Sequence, residues 1–207
     1  MTEDEARQWF AGRVNDTQMA RLNCYSAMLV RESDSQNLIA RSTIHQMWSR
    51  HLADSAQLVD HVGAQREGLW VDIGSGAGLP GIVVAAISTW NVVLIEPRRL
   101  RIDFLKACVD ALELTDRVAV IASRVETAQI RAPAGVISAR AVATASKLFA
   151  SAGHLYDKHT QWVLPKGRSA ESEVAEARRS WHGRFHVKQS LVDPTSGIIV
   201  AQGISPR

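Results

Sequence analysis

The sequence predicts an α/β fold, in which a mostly parallel sheet with a C-terminal antiparallel hairpin follows an N-terminal helical extension. Three observations support this class. A glycine-rich turn separates an apolar run from a helical pattern near residue 75, and short apolar runs then alternate with helical patterns. Two further runs flank Asp193-Pro194 and predict the hairpin. The 207 residues, 46% of them hydrophobic, suffice for one such domain with a short extension.

The N-terminal extension is predicted to span residues 1–62. Thr2 followed by Glu5 matches a capping box, and apolar residues then recur at helical spacing up to a polar break near residue 34. A second helical pattern follows the break. Residues 63–68 are predicted to link this extension to the main domain, which spans residues 63–207.

The strongest functional signal is LWVDIGSGAGLPG at residues 69–81, which predicts a buried strand, a tight turn and a helix start. The strand carries Asp72, and the turn contains Gly74, Gly76 and Gly78. Glycine is needed where the backbone takes a positive φ or where a ligand approaches it. We therefore expect the turn to present bare N–H groups to a ligand above the carboxyl end of the strand.

Two classes of ligand match this turn. From Gly76 it reads G-x-G-x-x-G, the dinucleotide pattern. From Asp72 it reads D-x-G-x-G-x-G, the first motif of S-adenosylmethionine-dependent methyltransferases. A carboxylate at the strand tip would repel a pyrophosphate, whereas S-adenosylmethionine carries a sulfonium and an ammonium but no phosphate. Charge therefore favours the methyltransferase, with a dinucleotide-dependent oxidoreductase and a purely structural turn as alternatives.

The remaining elements follow in regular alternation. The predicted strands occupy residues 91–96, 118–122, 135–139, 161–165, 185–192 and 197–204, and the predicted helices between them occupy residues 98–112, 148–155 and 169–181. Glu96 ends the second strand, where an acidic side chain can accept hydrogen bonds from ribose hydroxyls. The turn at 123–126 is expected to frame the adenine, and Arg140 ends the fourth strand.

The end of the fourth strand is expected to hold the methyl acceptor. It reads Ser-Ala-Arg-Ala at 138–141 and lacks the Asn/Asp-Pro-Pro-aromatic turn typical of methylation at exocyclic amines. Methylation at carbon 5 of a pyrimidine needs a cysteine nucleophile, yet Cys24 and Cys108 lie in apolar helical patterns. What remains is an acceptor atom with a free lone pair and no proton, such as guanine N7. Such a transfer depends mostly on positioning and electrostatics.

The bulk properties indicate a cytoplasmic protein. The two cysteines suggest neither a disulfide framework nor a metal site. No apolar run reaches membrane-spanning length, and the acidic N-terminus is not a signal peptide. A net charge of +3 is a mild indication of a nucleic-acid partner.

Five stretches in order carry a family resemblance: NLI (37–39), RHLADS (50–55), VDIGSGAGLPGI (71–82), SARAVA (138–143) and LPKG (164–167). The chain resembles the bacterial 16S ribosomal RNA guanine-N7 methyltransferases, also called glucose-inhibited division protein B. The family commonly shows NL-T-A-I and SRAVA at the first and fourth stretches, and neither departure removes a polar group assigned to chemistry. The alternation of strands and helices with a terminal hairpin already describes the Rossmann-like seven-stranded methyltransferase sheet. The resemblance implies a monomeric cytoplasmic enzyme that methylates N7 of one guanine in a loop of small-subunit ribosomal RNA. Its implied cofactor is S-adenosyl-L-methionine, and its implied partner is 16S ribosomal RNA or the small ribosomal subunit.

The motif and the resemblance together assign site residues. The cofactor set is Asp72, Gly74, Gly76, Gly78, Leu79, Glu96, Val125, Glu126 and Arg140. Arg140 is also predicted to orient the acceptor. The RNA-contacting set is Arg41, Arg50, His51, Arg98, Arg99, Lys166 and Arg168, with a solvated basic surface as the alternative. The sequence also leaves open a methyltransferase that acts on another RNA, a protein or a small molecule, and a non-catalytic RNA-binding module.

Overall fold

A seven-stranded sheet of order β3-β2-β1-β4-β5-β7-β6 organises the chain in the computed structural model, which describes residues 1–62 and 68–207. The strands are β1 Leu69–Ile73, β2 Asn91–Ile95, β3 Val118–Ile121, β4 Val136–Ser138, β5 Gln161–Gly167, β6 Trp181–Gln189 and β7 Gly197–Pro206. Strands β1 to β5 run parallel to one another, and β7 runs antiparallel to both β5 and β6. The predicted fold class is confirmed.

Helices precede the sheet and cover its two faces. They are α1 Glu3–Ala11, α2 Asp16–Gln36, α3 Asp54–Ala56, α4 Gly81–Ile87, α5 Arg99–Ala111, α6 Ala145–Ser151 and α7 Ala170–Ser180. The capping box predicted for α1 is present, because the Thr2 hydroxyl accepts from the Glu5 N–H and the Glu5 carboxylate accepts from the Thr2 N–H. None of the helices in the described part of the chain combines the length and apolar character needed to cross a bilayer.

Residues 41–61 are helical but irregular. A 3-10 helix (Arg41–Gln46), a π-helix (Met47–Ala53), α3 and a second 3-10 helix (Gln57–His61) follow one another. The Glu3 carboxylate from α1 accepts hydrogen bonds from the backbone N–H groups of Trp48 and Ser49 at 3.0 and 2.7 Å. Burial disfavours the charge on Glu3, but a hydrogen bond from the Ser49 hydroxyl, these two backbone hydrogen bonds and the nearby Arg7 outweigh it and lower the pKa of Glu3. A carboxylate distant in sequence thus caps a turn inside this run.

The N-terminal helices share a core with the sheet. Phe10, Leu22 and Leu29 are fully buried in the same apolar cluster as Trp70 of β1 and Val83 of α4. The predicted linker at 63–68 lies outside the described residues except for Gly68, so the division into extension and domain stays a prediction.

Three predicted helix boundaries in the C-terminal half were wrong. One is the end of α6, which lies at Ser151 and not at residue 155. Helix α6 begins at Ala145, ahead of the expected residue 148, because the Glu173 carboxylate accepts a hydrogen bond from the Ala145 N–H at 2.9 Å. Helix α7 ends at Ser180, and Trp181 begins β6 by pairing with Pro206. The sequence placed Trp181 in the helix because its spacing suits either element.

The sheet order places a crevice at the carboxyl ends of β1, β2 and β4. Strand β1 lies between β2 and β4, so the order of the strands reverses at β1. In doubly wound sheets a ligand site opens at such a reversal, beyond the carboxyl ends of the strands. Ile73 pairs with Ile95, and Asp72 pairs with Ser138. The glycine turn, Glu96 and Arg140 therefore follow neighbouring strand ends, as the sequence predicted.

Candidate active site

The glycine turn between β1 and α4 has the expected backbone geometry. Gly74, Gly76 and Gly78 have φ angles of +66°, +54° and +92°, a region that favours glycine. The N–H groups of these glycines are not bare, so that expectation was wrong: the Gly74 N–H donates to the Ile95 carbonyl of β2 at 2.8 Å, the Gly76 N–H to the Glu96 carboxylate at 2.8 Å and the Gly78 N–H to the Ser75 carbonyl at 2.6 Å. From the other side, the buried Tyr25 hydroxyl donates to the Ala77 carbonyl at 2.7 Å. Strand β2 and helix α2 thus hold the turn in place.

Asp72 lies fully buried beneath this turn. Its Oδ1 accepts from the Ser138 hydroxyl at 2.7 Å, and its Oδ2 accepts from the Gly81 N–H at 3.2 Å. Ser138 Oγ in turn accepts from Trp70 Nε1 at 2.8 Å. The carboxylate therefore ties β1 to β4 and to the start of α4. Its assignment to the cofactor stays a prediction.

Burial raises the pKa of Asp72 from 3.8 to about 6, against the opposing effect of its hydrogen bonds. Because the folded protein holds this proton more tightly than the unfolded chain, Asp72 makes stability fall as pH rises from about 4 to about 6. Asp72→Asn removes the ionisation, so we expect the variant to gain about 3 kcal/mol relative to wild type across that window. Urea unfolding of both proteins between pH 4 and pH 7 checks this. A difference that does not change with pH would contradict it.

Glu96 also supports the turn. Its side chain is 2% exposed, its Oε2 accepts from the Gly76 N–H at 2.8 Å, and its Oε1 accepts from the Arg98 N–H at 2.9 Å. The sequence placed Glu96 at the strand end but offered no sign of its contact with the turn. Each carboxylate oxygen has a second lone pair, so Glu96 retains the capacity to accept a ribose hydroxyl.

The segment after β3 forms the side of the crevice predicted to hold the adenine. Val125 and Glu126 lie in a short 3-10 helix, Val125 half-buried and Glu126 exposed. Ser123, which the sequence did not single out, precedes them. Among the described residues, its Oγ is one of two buried side-chain polar atoms without a hydrogen-bond partner. A buried hydroxyl without a partner can hydrogen-bond to a ligand that carries polar atoms, such as the edge of an adenine base.

The turn between β4 and α6 bounds the crevice on its other side. A Cβ at Gly74 would lie 2.7 Å from Val142 Cγ2, so the Val142 side chain sits against the glycine turn. Ala141 has a φ of +56°, a conformation that a non-glycine residue adopts at a cost. Leu79 of the glycine turn is 5% exposed and lies in the core. The sequence placed Val142 within the SARAVA stretch but gave no sign that its side chain contacts the glycine turn.

A cavity of about 1000 Å³ opens beside this crevice. Its walls come from the N-terminal helical segments and from the carboxyl ends of β4 and β5. The lining includes Glu3, Ser49, Arg50, His51, Asp54, Arg140, Val142, Lys166 and Glu173. Four predicted site residues, Arg50, His51, Arg140 and Lys166, are thus brought together here. Val142 lines the cavity and also contacts the glycine turn, so the two spaces adjoin.

Arg140 lies in the cavity wall with its side chain 21% exposed. Its Nη1 donates to Asp54 Oδ2 at 3.2 Å and to the Arg50 carbonyl at 3.4 Å, and its Nη2 faces His51 Nδ1 at 3.4 Å. Burial, with Arg140 and Arg50 nearby, lowers the pKa of His51 to about 4. The imidazole is therefore neutral near pH 7 and presents an acceptor to the guanidinium.

The other predicted RNA-contacting residues divide into two groups. The Lys166 side chain is 8% exposed, donates to the Ala143 carbonyl and lies 3.2 Å from the Glu173 carboxylate, so it supports the turn after β4. The remaining arginines are exposed and lie outside the cavity lining: Arg41, Arg98, Arg99 and Arg168. RNA contact stays a prediction for both groups.

Among the described residues, neither a buried nucleophilic thiol nor a metal site is found outside this cavity. Cys24 is exposed, whereas Cys108 is buried, and burial raises the pKa of the Cys108 thiol to about 12, which makes it a poor nucleophile. Within residues 1–62 and 68–207, no group of three or more His, Cys, Asp or Glu side chains is arranged to hold a metal ion.

Comparison with known sequences identifies close relatives. The family model described as GidB, rRNA small subunit methyltransferase G, matches residues 18–196. A protein named ribosomal RNA small subunit methyltransferase G from Rhizorhabdus wittichii is 47% identical over 208 residues, covering 100% of this chain and 95% of its own. The protein of the same name from Erythrobacter litoralis is 43% identical over 203 residues, covering 98% and 97%.

Solved structures support the fold alone. A glycopeptide N-methyltransferase complexed with S-adenosyl-L-methionine matches with a TM-score of 0.61 and 9% identity, covering 73% of this chain and 86% of its own. A putative S-adenosyl-L-methionine-dependent methyltransferase from Methanococcus maripaludis matches with a TM-score of 0.54 and 14% identity, covering 86% and 91%.

Proposed function

The chain belongs to the GidB family of small-subunit ribosomal RNA methyltransferases G, and we propose that it transfers a methyl group from S-adenosyl-L-methionine to N7 of a guanine in 16S ribosomal RNA. The family resemblance of the sequence motifs is confirmed. The observation that carries the proposal is the junction at Val142, which contacts the glycine turn and also lines the adjoining cavity. A cofactor crevice beside an acceptor-sized cavity is what a direct methyl transfer requires.

The residues of the crevice fit this cofactor. Gly74 and Gly76 have no side chains, so a ligand can approach the turn once Val142 and Arg101 move aside. Glu96 stands where a ribose would lie, and the Ser123 hydroxyl has no hydrogen-bond partner among the described residues. When bound, S-adenosyl-L-methionine supplies an electrophilic methyl group on a sulfonium sulfur. Glu96 would hold the ribose hydroxyls, and Ser123 with the Val125–Thr127 turn would hold the adenine.

The cavity residues would hold the acceptor. Guanine N7 has a free lone pair, so the site needs no general base, which agrees with a neutral His51 already engaged by Arg140. Arg140 can donate to guanine O6 or to a phosphate and so orient the base. Val142, which is 45% exposed, lies between the glycine turn and the cavity, so it borders the path that the methyl group would take. The substrate places the enzyme with ribosomes in the cytoplasm, and we expect it to act as a monomer.

Glu96→Gln is expected to weaken S-adenosyl-L-methionine binding by about 1–3 kcal/mol. The substitution replaces one of the two carboxylate oxygens, both of which already accept hydrogen bonds from the Gly76 and Arg98 N–H groups, with an amide group that cannot accept. Calorimetric titration of the free protein measures the affinity. A 2′-deoxyribose analogue of S-adenosylhomocysteine separates the two roles of the side chain. If Glu96 contacts the ribose, the substitution costs less affinity for the deoxy analogue than for the parent nucleoside. Equal affinities of wild type and variant for the parent would exclude the contact.

Tritiated methyl transfer tests the proposed function. Unmodified small ribosomal subunits and naked 16S RNA are incubated with the protein and methyl-labelled cofactor, and the digested RNA is analysed for nucleosides. We expect label in 7-methylguanosine. Label in another nucleoside or in protein would assign a different acceptor. Binding of NAD without any labelling would favour the oxidoreductase.

A further inference from the structure

A polar network joins the N-terminal helical segment to the cavity wall. Asp54 of α3 accepts from Arg140 Nη1 at 3.2 Å, and both side chains are about one-fifth exposed. The two residues are 86 positions apart in the chain. Arg140 follows β4, so this ion pair, together with the contacts of Arg140 to the Arg50 carbonyl and His51 Nδ1, joins the N-terminal segment to the predicted acceptor-orienting residue.

Asp54 is held from its opposite side. Gln57 Nε2 donates to Asp54 Oδ1 at 3.0 Å and contacts Ser190 Oγ at 3.1 Å, while Gln57 Oε1 accepts from the Leu191 N–H at 2.8 Å. Gln57 is 2% exposed. A buried amide thus fixes the carboxylate against the segment between β6 and β7, so Asp54 presents one defined oxygen to Arg140.

His51 provides a second fixed acceptor for the same guanidinium. Arginine has donors only, so the His51 Nδ1 that faces Arg140 accepts, and the imidazole proton resides on Nε2. Nε2 then donates to Thr43 Oγ1 at 2.9 Å, and Thr43 Oγ1 donates to the Ala40 carbonyl at 2.7 Å. Each nitrogen of the imidazole therefore has one hydrogen-bond partner, as acceptor at Nδ1 and as donor at Nε2, and these two hydrogen bonds fix the orientation of the ring.

Methylation changes the charge that faces Arg140. In the transfer the N7 lone pair forms the new bond and the sulfur keeps the electron pair of the old one, so the positive charge moves from the sulfur to the purine ring. An unpaired guanidinium beside this ring would oppose the developing charge, whereas a guanidinium paired with a carboxylate is close to neutral overall. The Asp54 pair therefore favours the transition state over the bound guanine, which affects turnover more than binding.

We propose that Asp54 is a positioning residue for Arg140: it fixes the guanidinium in the cavity wall and neutralises its charge there, with His51 as the second acceptor. This inference rests on the proposed function. It assigns a role in the reaction to the N-terminal helical segment, through side chains that do not themselves touch the reacting atoms.

A double-mutant cycle tests the inference. Asp54→Asn keeps the shape and one acceptor but removes the charge, so kcat is expected to fall about tenfold or more with a small change in KM, as for loss of a charge-assisted hydrogen bond. The affinity of the free protein for S-adenosyl-L-methionine should stay within about twofold. In the Arg140→Ala background the same substitution should have no further effect on kcat, because Asp54 acts through Arg140.

Control variants separate positioning from folding. Asp60→Asn breaks the exposed Arg13–Asp60 ion pair and should leave kcat and cofactor affinity unchanged. His51→Asn retains an acceptor near the Nδ1 position and should keep more activity than His51→Leu at equal melting temperature. If Arg140→Ala has too little steady-state turnover to measure, the cycle is completed on the rate constant of single-turnover methyl transfer over long incubations, and additive effects on that rate constant overturn the inference.

Each failure has a distinct signature. Active wild-type enzyme with an equal effect of Asp54→Asn in both backgrounds would make Asp54 a structural residue only. An unchanged kcat in Asp54→Asn would overturn the inference directly. Wild-type protein that methylates neither subunits nor naked RNA would contradict the proposed function itself.

Discussion

Arg140→Ala is expected to lower kcat by about 10²–10³-fold, the usual effect of removing one well-placed donor from an active site. Arg140 lines the cavity and its guanidinium is fixed by Asp54 and His51. Since its contacts lie on the cavity side, the dissociation constant for S-adenosyl-L-methionine should change by no more than about threefold. Single-turnover methyl transfer and calorimetric titration measure the two quantities separately.

The control for this experiment is Arg13→Ala, because Arg13 Nη1 donates to both carboxylate oxygens of Asp60 in an exposed ion pair on the surface. It should leave both quantities as in wild type. Lost cofactor affinity with intact turnover at saturating cofactor would instead assign Arg140 to the cofactor, the second role predicted for it.

Gly78→Ala is expected to destabilise the protein by about 2–4 kcal/mol and to abolish cofactor binding at temperatures where wild type binds. Gly78 has a φ of +92°, and an added Cβ would lie 2.6 Å from Ile82 Cγ1 and 3.1 Å from the Tyr25 hydroxyl. Both neighbours are buried or hydrogen-bonded, so the turn itself must shift. Urea unfolding and calorimetric titration check the two effects.

Gly12→Ala is the matched control. Gly12 ends α1 with a φ of −87°, and a Cβ added there would meet no atom within 4 Å. This substitution should change the free energy of unfolding by less than about 0.5 kcal/mol. A Gly78→Ala protein as stable as the Gly12→Ala control, with full cofactor affinity, would refute the assigned geometry of the turn.

The sheet was predictable because its strands carry local signals. Strand β1 is apolar except for Asp72 and ends in a glycine turn. Strand β2 is a continuous apolar run after Asn91 and is followed by Glu96, and such runs indicate strands buried on both faces. The irregular helical run at 41–61 was not predictable, because the Glu3 carboxylate that caps it belongs to another helix. Trp181 was misplaced for a similar reason, since its strand depends on pairing with Pro206.

The site was predictable to the extent that its residues are close in sequence. The glycine turn and the acidic end of β2 follow a known spacing, so both were found. The supporting side chains were not found, because Asp54 meets Arg140 and Gln57 meets Ser190 across 86 and 133 positions. RHLADS contained Asp54, yet a motif alone does not state which partner a carboxylate has.

Asp72 illustrates the remaining limit. Its position in the first strand predicts a role at the cofactor, and the local sequence gave no sign of the hydrogen bonds that its carboxylate accepts from Ser138 and the Gly81 N–H. Whether a polar side chain on a buried strand faces a ligand or a neighbouring strand depends on the partner strand, which the local sequence does not identify.

A crystal structure with S-adenosylhomocysteine bound tests the central claim most directly. We predict that the nucleoside lies across the carboxyl ends of β1 and β2, with its ribose at Glu96 and its sulfur toward the cavity that Arg140 and Val142 line. Val142 and Arg101, whose side chains now lie against Gly74 and Gly76, should make room for it. A complex in which the ligand binds elsewhere, with these side chains still closing the turn, would contradict the account.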